Sequence, residues 1–431
     1  MTAPLPPFPT ARAALDSLRA LLSGRSLLPA MESLRDELGD VFLLPAPGFR
    51  AIVLSGAAAA RFTYVEARAS LRWRAAGDPV TSLLRHGLLV EDGEAHAALR
   101  RSILPHLHRR AVESRLETFV WWTDQVCDAW DLRRPLDMLV EMRQLALLVL
   151  VDALFGADLT PDLDRLWRPI LRAIRFISPG VWLLWRSVPQ VGLGPALRQL
   201  DAYLYGLIAA QRDDPRAADG LVRDLLRAGL SDALVRDQLL TLLIAGHDTS
   251  TAHLAWTLYL LAAHPASQRL AQAEVDAVCG GLPPSPEALR RLVYLGQVID
   301  ESLRLYPPIH VSNRLVAGDL EFGGCRIPAG ERLMFSIYLT HRDGRSWPDP
   351  GRYDPARFAP GVRREPYAFV PFGGGPRNCI GAAFAQAEAK TILARLLQRY
   401  RFTLLDPQVR LHMGATLEPS PGVLLRVAAR E

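Results

Sequence analysis

The sequence predicts a mainly α-helical fold carrying small β-sheets, in one large domain. Three observations point there. A long apolar run from Ser231 to His264, closed by Pro265, exceeds the length of most globular helices. Strand-like stretches are short and gathered toward the two ends, at Val41 to Leu44, Ile52 to Leu54, Leu320 to Leu339 and Phe402 to Val427. No Ser/Gly-rich linker, repeat or low-complexity block divides the 431 residues, of which 49% are hydrophobic.

In chain order, the first dozen residues hold several prolines and read as a loose arm. Residues 1–30 are taken as this arm and its lead-in, and 31–431 as the domain. Asp92-Gly-Glu-Ala-His-Ala-Ala-Leu-Arg-Arg101 sets His96 and Arg100 one turn apart on one helix face. Taken alone, a solvated face is the simpler reading of such a pair. Ser231 and Asp232 are candidate N-caps of the long helix. At its middle, Ala245-Gly246-His247-Asp248-Thr249-Ser250 puts a carboxylate in apolar surroundings, where burial demands a partner. The Thr249 hydroxyl can bond its i−4 carbonyl or a water, and a helix kink with a capped polar pair would use the same residues. Glu301-Ser-Leu-Arg304, ahead of Leu305-Tyr-Pro-Pro308, spaces an acid and a base so that they share a helix face. Ile380 to Tyr400 reads as a further helix.

Just before that helix runs Phe372-Gly-Gly-Gly-Pro-Arg-Asn-Cys-Ile-Gly381, the pattern F-x-x-G-x-R-x-C-x-G. At this composition the five fixed types at that spacing should arise by chance in roughly one in 10⁴ chains, so the pattern outweighs the alternative of a buried structural thiol. Gly375 and its neighbours allow positive φ and close approach of the backbone to a flat ligand. A helix starting just after Cys379 aims free N–H groups and a positive dipole end at the sulfur, which favours thiolate over thiol.

With this loop the chain resembles the cytochromes P-450, the haem-thiolate monooxygenases, over roughly residues 30 to 428. The resemblance implies their fold, a helical body with a long central helix and a minor β-rich lobe. It makes Cys379 the axial iron ligand of heme b, with Phe372 shielding the sulfur and Gly381 letting the following helix pack under the ring. Arg377, His96, Arg100 and Arg314, in Val311-Ser-Asn-Arg-Leu315, would form a cationic ring for the two haem propionates through charge-assisted bonds. Ala245 to Thr249 matches the A-G-x-D/E-T segment of the distal haem face: Gly246 would leave room beside O2 and let the helix open, while Asp248 and Thr249 would deliver protons. His247 has two open readings, as a neighbour of the oxygen site or as a partner of a loop carbonyl. Glu301 and Arg304 would form a buried structural triad with Arg357, in Asp354-Pro-Ala-Arg-Phe358. Gly344 and Ala356 depart from the residues common there, Pro and Glu, without removing a charge.

Pocket walls by family position are Val80 to Leu89, Leu243 to Ala245, Ile309, Val311 and Leu417 to Pro419, which suit an apolar substrate such as a lipid, terpenoid or carotenoid. Phe176-Ile-Ser-Pro-Gly-Val-Trp-Leu-Leu-Trp185 falls on the family's mobile lid. It reads as a lid packing on itself, or, through Trp182 and Trp185, as a peripheral membrane contact.

No apolar run near the N-terminus is long enough to span a bilayer and no signal peptide is evident, so the expectation is a soluble, cytoplasmic protein. Cys127, Cys279, Cys325 and Cys379 show no zinc or disulfide spacing. Net charge is +5 and Lys390 is the only lysine, so the positive charge is almost all arginine. No nucleic-acid motif accompanies it, so no nucleic-acid partner is expected. No flavin or nicotinamide motif is present either. Electrons are therefore expected from a ferredoxin or flavodoxin with its NAD(P)H reductase, docking, as the resemblance implies, on arginines near Arg101 and, before Phe372, near Arg363. A peroxide-driven peroxygenase and a non-catalytic haem sensor are the alternatives; the presence of Asp248 with Thr249 favours O2-dependent catalysis over both.

Overall fold

The computed structural model describes residues 3–24, 26, 28–46, 49–74, 78–178, 193–213 and 220–430. The long apolar run folds into one continuous helix, Asp232–Ala263, and Ser231 caps it by accepting the Leu234 N–H on its hydroxyl at 3.3 Å. Nearly every side of this helix is buried, as its unbroken apolar sequence requires. Around it pack Met138–Leu150, Leu193–Asp213, Val293–Leu305 and the helix that follows the cysteine loop, Ala382–Arg399. Its neighbour in sequence, Pro265–Cys279, starts on the proline that closed the run.

A five-stranded sheet forms the minor lobe, in the order Val41–Ala46, Phe49–Leu54, Arg332–Ser336, Val311–Val316, Leu71–Arg72. Phe49–Leu54 and Arg332–Ser336 run parallel with Ile52 opposite Leu333, and Val311–Val316 returns antiparallel with Arg314 opposite Leu333. In Val311–Val316 the inward positions are Ser312, Arg314 and Val316, so a strand alternation buries an arginine. Near the C-terminus, Tyr400–Leu404 pairs with Leu424–Ala429. A hairpin of Arg410–Met413 and Leu417–Ser420 leans on the central helix with Glu418 opposite His412.

One sequence expectation is corrected here. The proline-containing arm is not loose. The Pro7 carbonyl accepts from Leu43 and that of Pro4 from Arg326, each a carbonyl that proline retains, and the chain then forms Ala11–Gly24 and Leu28–Leu38. A boundary at residue 30 therefore falls inside a helix. The stretch Leu320 to Leu339 is three short strands followed by a helical turn, Ile337–His341, whose N-terminus Ser336 caps. The part of the lid segment that carries Trp182 and Trp185 lies outside the described residues. Among the described residues no helix is long and apolar enough to cross a membrane.

Candidate active site

The cysteine loop is closed by its own backbone, with Cys379 N–H bonding the Phe372 carbonyl at 2.8 Å and Asn378 N–H that of Gly375 at 3.1 Å. Gly375 has φ +62°, and a Cβ there would come within 2.3 Å of the Tyr64 carbonyl oxygen, so both geometry and space demand glycine. Gly381 stands at the N-cap of Ala382–Arg399, and its N–H bonds the sulfur. Cys379 is exposed by surface area, yet protein atoms crowd the sulfur on nearly all sides, as at the floor of a narrow recess. Burial accordingly pushes its thiol up, while the Gly381 N–H and the Arg100 charge pull it down. Of these two pulls the first is the helix-end influence expected from the sequence; desolvation outweighs both. A bound metal cation would pull the thiol down further.

The four cationic candidates come together beside the loop, though not as a simple ring. Arg314 is 6% exposed, stacks on Trp73 at 3.5 Å, and has only the adjacent Asn313 carbonyl as a bonded partner among the described residues. Burial holds its guanidinium below the usual range, as for a cation lacking an anion. Arg377 lies over the same indole at 5.8 Å, but its Nη2 is already bonded to Asp92 at 2.6 Å and to the Glu91 carbonyl. Arg100 grips the loop, with Nη1 on the Asn378 carbonyl at 2.9 Å and Nη2 on its side-chain oxygen at 2.8 Å. His96, one turn before, is buried and held neutral at about 4 by desolvation and by Arg377 and Arg100. Arg377 and Arg100 thus also have protein partners, and Arg314 stands out as the uncompensated charge. Asp92, which also accepts from the Trp73 and Arg74 amides, is the organiser that the sequence reading missed, although it stood inside the quoted motif.

On the central helix, Ala245 is exposed and Thr249 partly so, while Val235 to Ile244 are buried; this face therefore lines an internal recess. The Thr249 hydroxyl donates to the Ala245 carbonyl at 2.7 Å. Gly246 also makes room on another side of the helix. A Cβ there would meet Leu150 at 2.9 Å, so the glycine admits the helix Met138–Leu150 and leaves the central helix unbroken. His247 is buried and held neutral at about 3, and its Nε2 bonds the Arg143 carbonyl on that neighbouring helix at 3.0 Å. Asp248 is buried; its Oδ2 accepts from Thr416 at 2.7 Å, and desolvation, then the charge of Glu418, push it up to about 7. Glu418 and Arg143, an ion pair, are functional candidates that no local pattern marked.

Glu301 and Arg304 are both fully buried and joined by two bonds of 2.7 Å. Arg357 completes the triad more loosely, 3.6 Å from Glu301.

An exposed thiol beneath a helix N-terminus, a buried guanidinium without an acid, and a recess-facing helix with a small residue and a hydroxyl together fit a flat macrocycle carrying a metal and carboxylates. A model of the cytochrome P450 family matches residues 6–426. The putative cytochrome P450 139 of Mycobacterium tuberculosis is 35% identical over 361 residues, which cover 79% of this chain and 83% of the relative. Cyclooctatin synthase of Streptomyces melanosporofaciens is 32% identical over 365 residues, 80% and 77% of the two chains. Among solved structures, retinoic acid-bound cyanobacterial CYP120A1 superposes with a TM-score of 0.87 at 26% identity, covering 100% of both chains.

Proposed function

The chain belongs to the cytochrome P450 family and is a haem monooxygenase; on that premise we propose that Cys379 is its iron ligand and an extended apolar molecule its substrate. Held by a thiolate, haem supplies an iron whose electron-rich state favours O–O cleavage. The observation that carries the assignment of the ligand is that Cys379 is the one exposed thiol of four, set under the Gly381 N–H and beside Arg100. Heme b, with its two carboxylates, suits the uncompensated Arg314, with His96 and Arg377 close by. Phe372, partly buried against the core, limits water at the sulfur.

On the distal side, Asp248 stores a proton and Thr249 offers a hydroxyl on the recess face through which it can be passed. Of the apolar positions expected to wall the pocket, Ile309 is exposed and Val80 and Val311 are partly so, whereas Leu243, Ile244, Leu417 and Pro419 are buried. Together with the retinoic acid held by the solved relative, these positions favour a lipid- or terpenoid-like substrate. The test is a panel of hydrophobic compounds screened for a haem spin-state shift. Long apolar compounds should shift the spectrum and be oxygenated, and a shift given only by small polar compounds would reject the substrate class.

Electrons are assigned to a ferredoxin or flavodoxin with its reductase. Arg101 already pairs with Glu94 at 2.7 Å, whereas Arg363 and Arg110 are exposed with no carboxylate partner among the described residues. In ferredoxin-driven turnover, Arg363→Glu should slow electron transfer most at low salt, and a salt-independent or absent effect would remove this docking face. In the same assay Asp248→Asn should lower turnover by about 10²-fold or more with the spin-state shift unchanged. Wild-type turnover would reject Asp248 as the proton store.

A further inference from the structure

Asp248 has no direct ionic partner among the described residues. Its Oδ2 takes the Thr416 hydroxyl, and its Oδ1 is buried without a conventional donor. Beside it, two residues along the hairpin from Thr416, is a second carboxyl, that of Glu418, whose charge acts on it. Thr416 and Glu418 are two residues apart where the hairpin enters Leu417–Ser420, so one turn of chain delivers both to the central helix. The other side of Glu418 is taken by Arg143 Nη2, from Met138–Leu150. Arg143 is 13% and Glu418 18% exposed, so the cluster is largely withdrawn from water.

Two carboxyls and one guanidinium leave one negative charge too many for such a site, and two carboxylates cannot hydrogen-bond each other unless they share a proton. The other groups packed around it do not supply that proton. His247 is held neutral and spends its Nε2 on the Arg143 carbonyl. Glu388, from Ala382–Arg399, accepts from Ser250 and is itself pushed up to about 8 by burial. His412, opposite Glu418 in the hairpin, is exposed. Among the described residues, Arg143 is the one cation whose charge acts on Asp248.

We infer that Glu418 and Arg143 are positioning residues for proton delivery: Glu418 obliges Asp248 to hold the shared proton, and Arg143 sets how tightly the pair keeps it. This rests on Asp248 being the proton store. The arrangement places the donor's protonation under the control of a hairpin outside the central helix.

The test is an infrared difference titration of the haem-loaded protein, reading the Asp248 carboxyl band, which is identified by its loss in Asp248→Asn. Glu418→Gln removes the like charge, keeps the size and turns Arg143 toward Asp248. Its midpoint should fall by about one pH unit or more, and the pH at which turnover declines should fall with it. Arg143→Gln removes the cation and should move both upward by a similar amount. Glu418→Asp, which retains the charge, should return the midpoint toward wild type. Opposite shifts in the first two variants, with the haem spectrum unchanged, are what a purely structural role would not produce. Midpoints unmoved in the variants that fold, or moved in one common direction, would overturn the inference. Full ferredoxin-driven turnover in Asp248→Asn would instead sink the proton-store reading, and the titration would still report on the pair.

Discussion

Replacing Arg304 by alanine is expected to destabilise the protein by about 3–5 kcal/mol, the cost of leaving one member of a buried ion pair unpaired. The guanidinium has five donor hydrogens and all are used. Nε bonds Glu301 at 2.7 Å, Nη1 takes the carbonyls of His341 at 3.0 Å and Pro350 at 2.7 Å, and Nη2 takes Glu301 at 2.7 Å and the Arg352 carbonyl at 3.1 Å. Glu301, also fully buried, would keep only the Asp354 N–H at 2.8 Å and the more distant Arg357. Domains are typically stable by about 5–15 kcal/mol, so such a loss should populate the unfolded chain measurably. Arg304→Lys should rescue little, because an ammonium has three donors and no fork. Arg357→Ala should cost less, its guanidinium being 3.6 Å away and partly exposed. Urea unfolding of the three variants checks the order, and an Arg304→Ala midpoint within error of wild type would refute it.

The triad does more than hold one helix. The His341 carbonyl bonds Arg304, and its Nε2 accepts the Val370 N–H at 2.9 Å, just ahead of the cysteine loop. A buried pair on Val293–Leu305 is thereby tied to the strand of chain that delivers Cys379.

What could be read from the sequence was what is contiguous. The cysteine loop, the E-x-x-R pair and the central helix each declare themselves within a few residues, because local backbone geometry and helix faces set their spacing. The bounds of Asp232–Ala263 and Ala382–Arg399 follow from Ser231, Pro265 and the loop glycines. What escaped was set by packing between distant segments. Arg143 meets Glu418 across 275 positions, and Arg100 finds Asn378 across 278, so neither pairing leaves a local pattern. At Gly246 the sequence names the missing side chain but not the neighbour, Leu150, that needs its space. Asp92 stands in the quoted motif without a role of its own in the sequence. Its side chain turns to two backbone amides and Arg377, an arrangement that exists only once the loop has come across to meet it.

The second large effect concerns the sulfur itself. Cys127 and Cys279 are buried in the core and Cys325 is a partly buried strand residue of the minor lobe, so the three can be replaced without touching the recess. Only Cys379 combines exposure with an N–H donor from a helix terminus and a neighbouring guanidinium. Removing it leaves the loop backbone able to close through Phe372 but takes away the proposed iron ligand, and turnover should drop to background. The most direct measurement is the difference spectrum of the reduced protein with and without carbon monoxide, recorded for the wild type and for each cysteine-to-alanine variant. The wild type and the variants at positions 127, 279 and 325 should show the red-shifted Soret band of a thiolate-bound haem, and Cys379→Ala should lack it. That band persisting in Cys379→Ala, or vanishing with any of the other three sulfurs, would contradict the assignment.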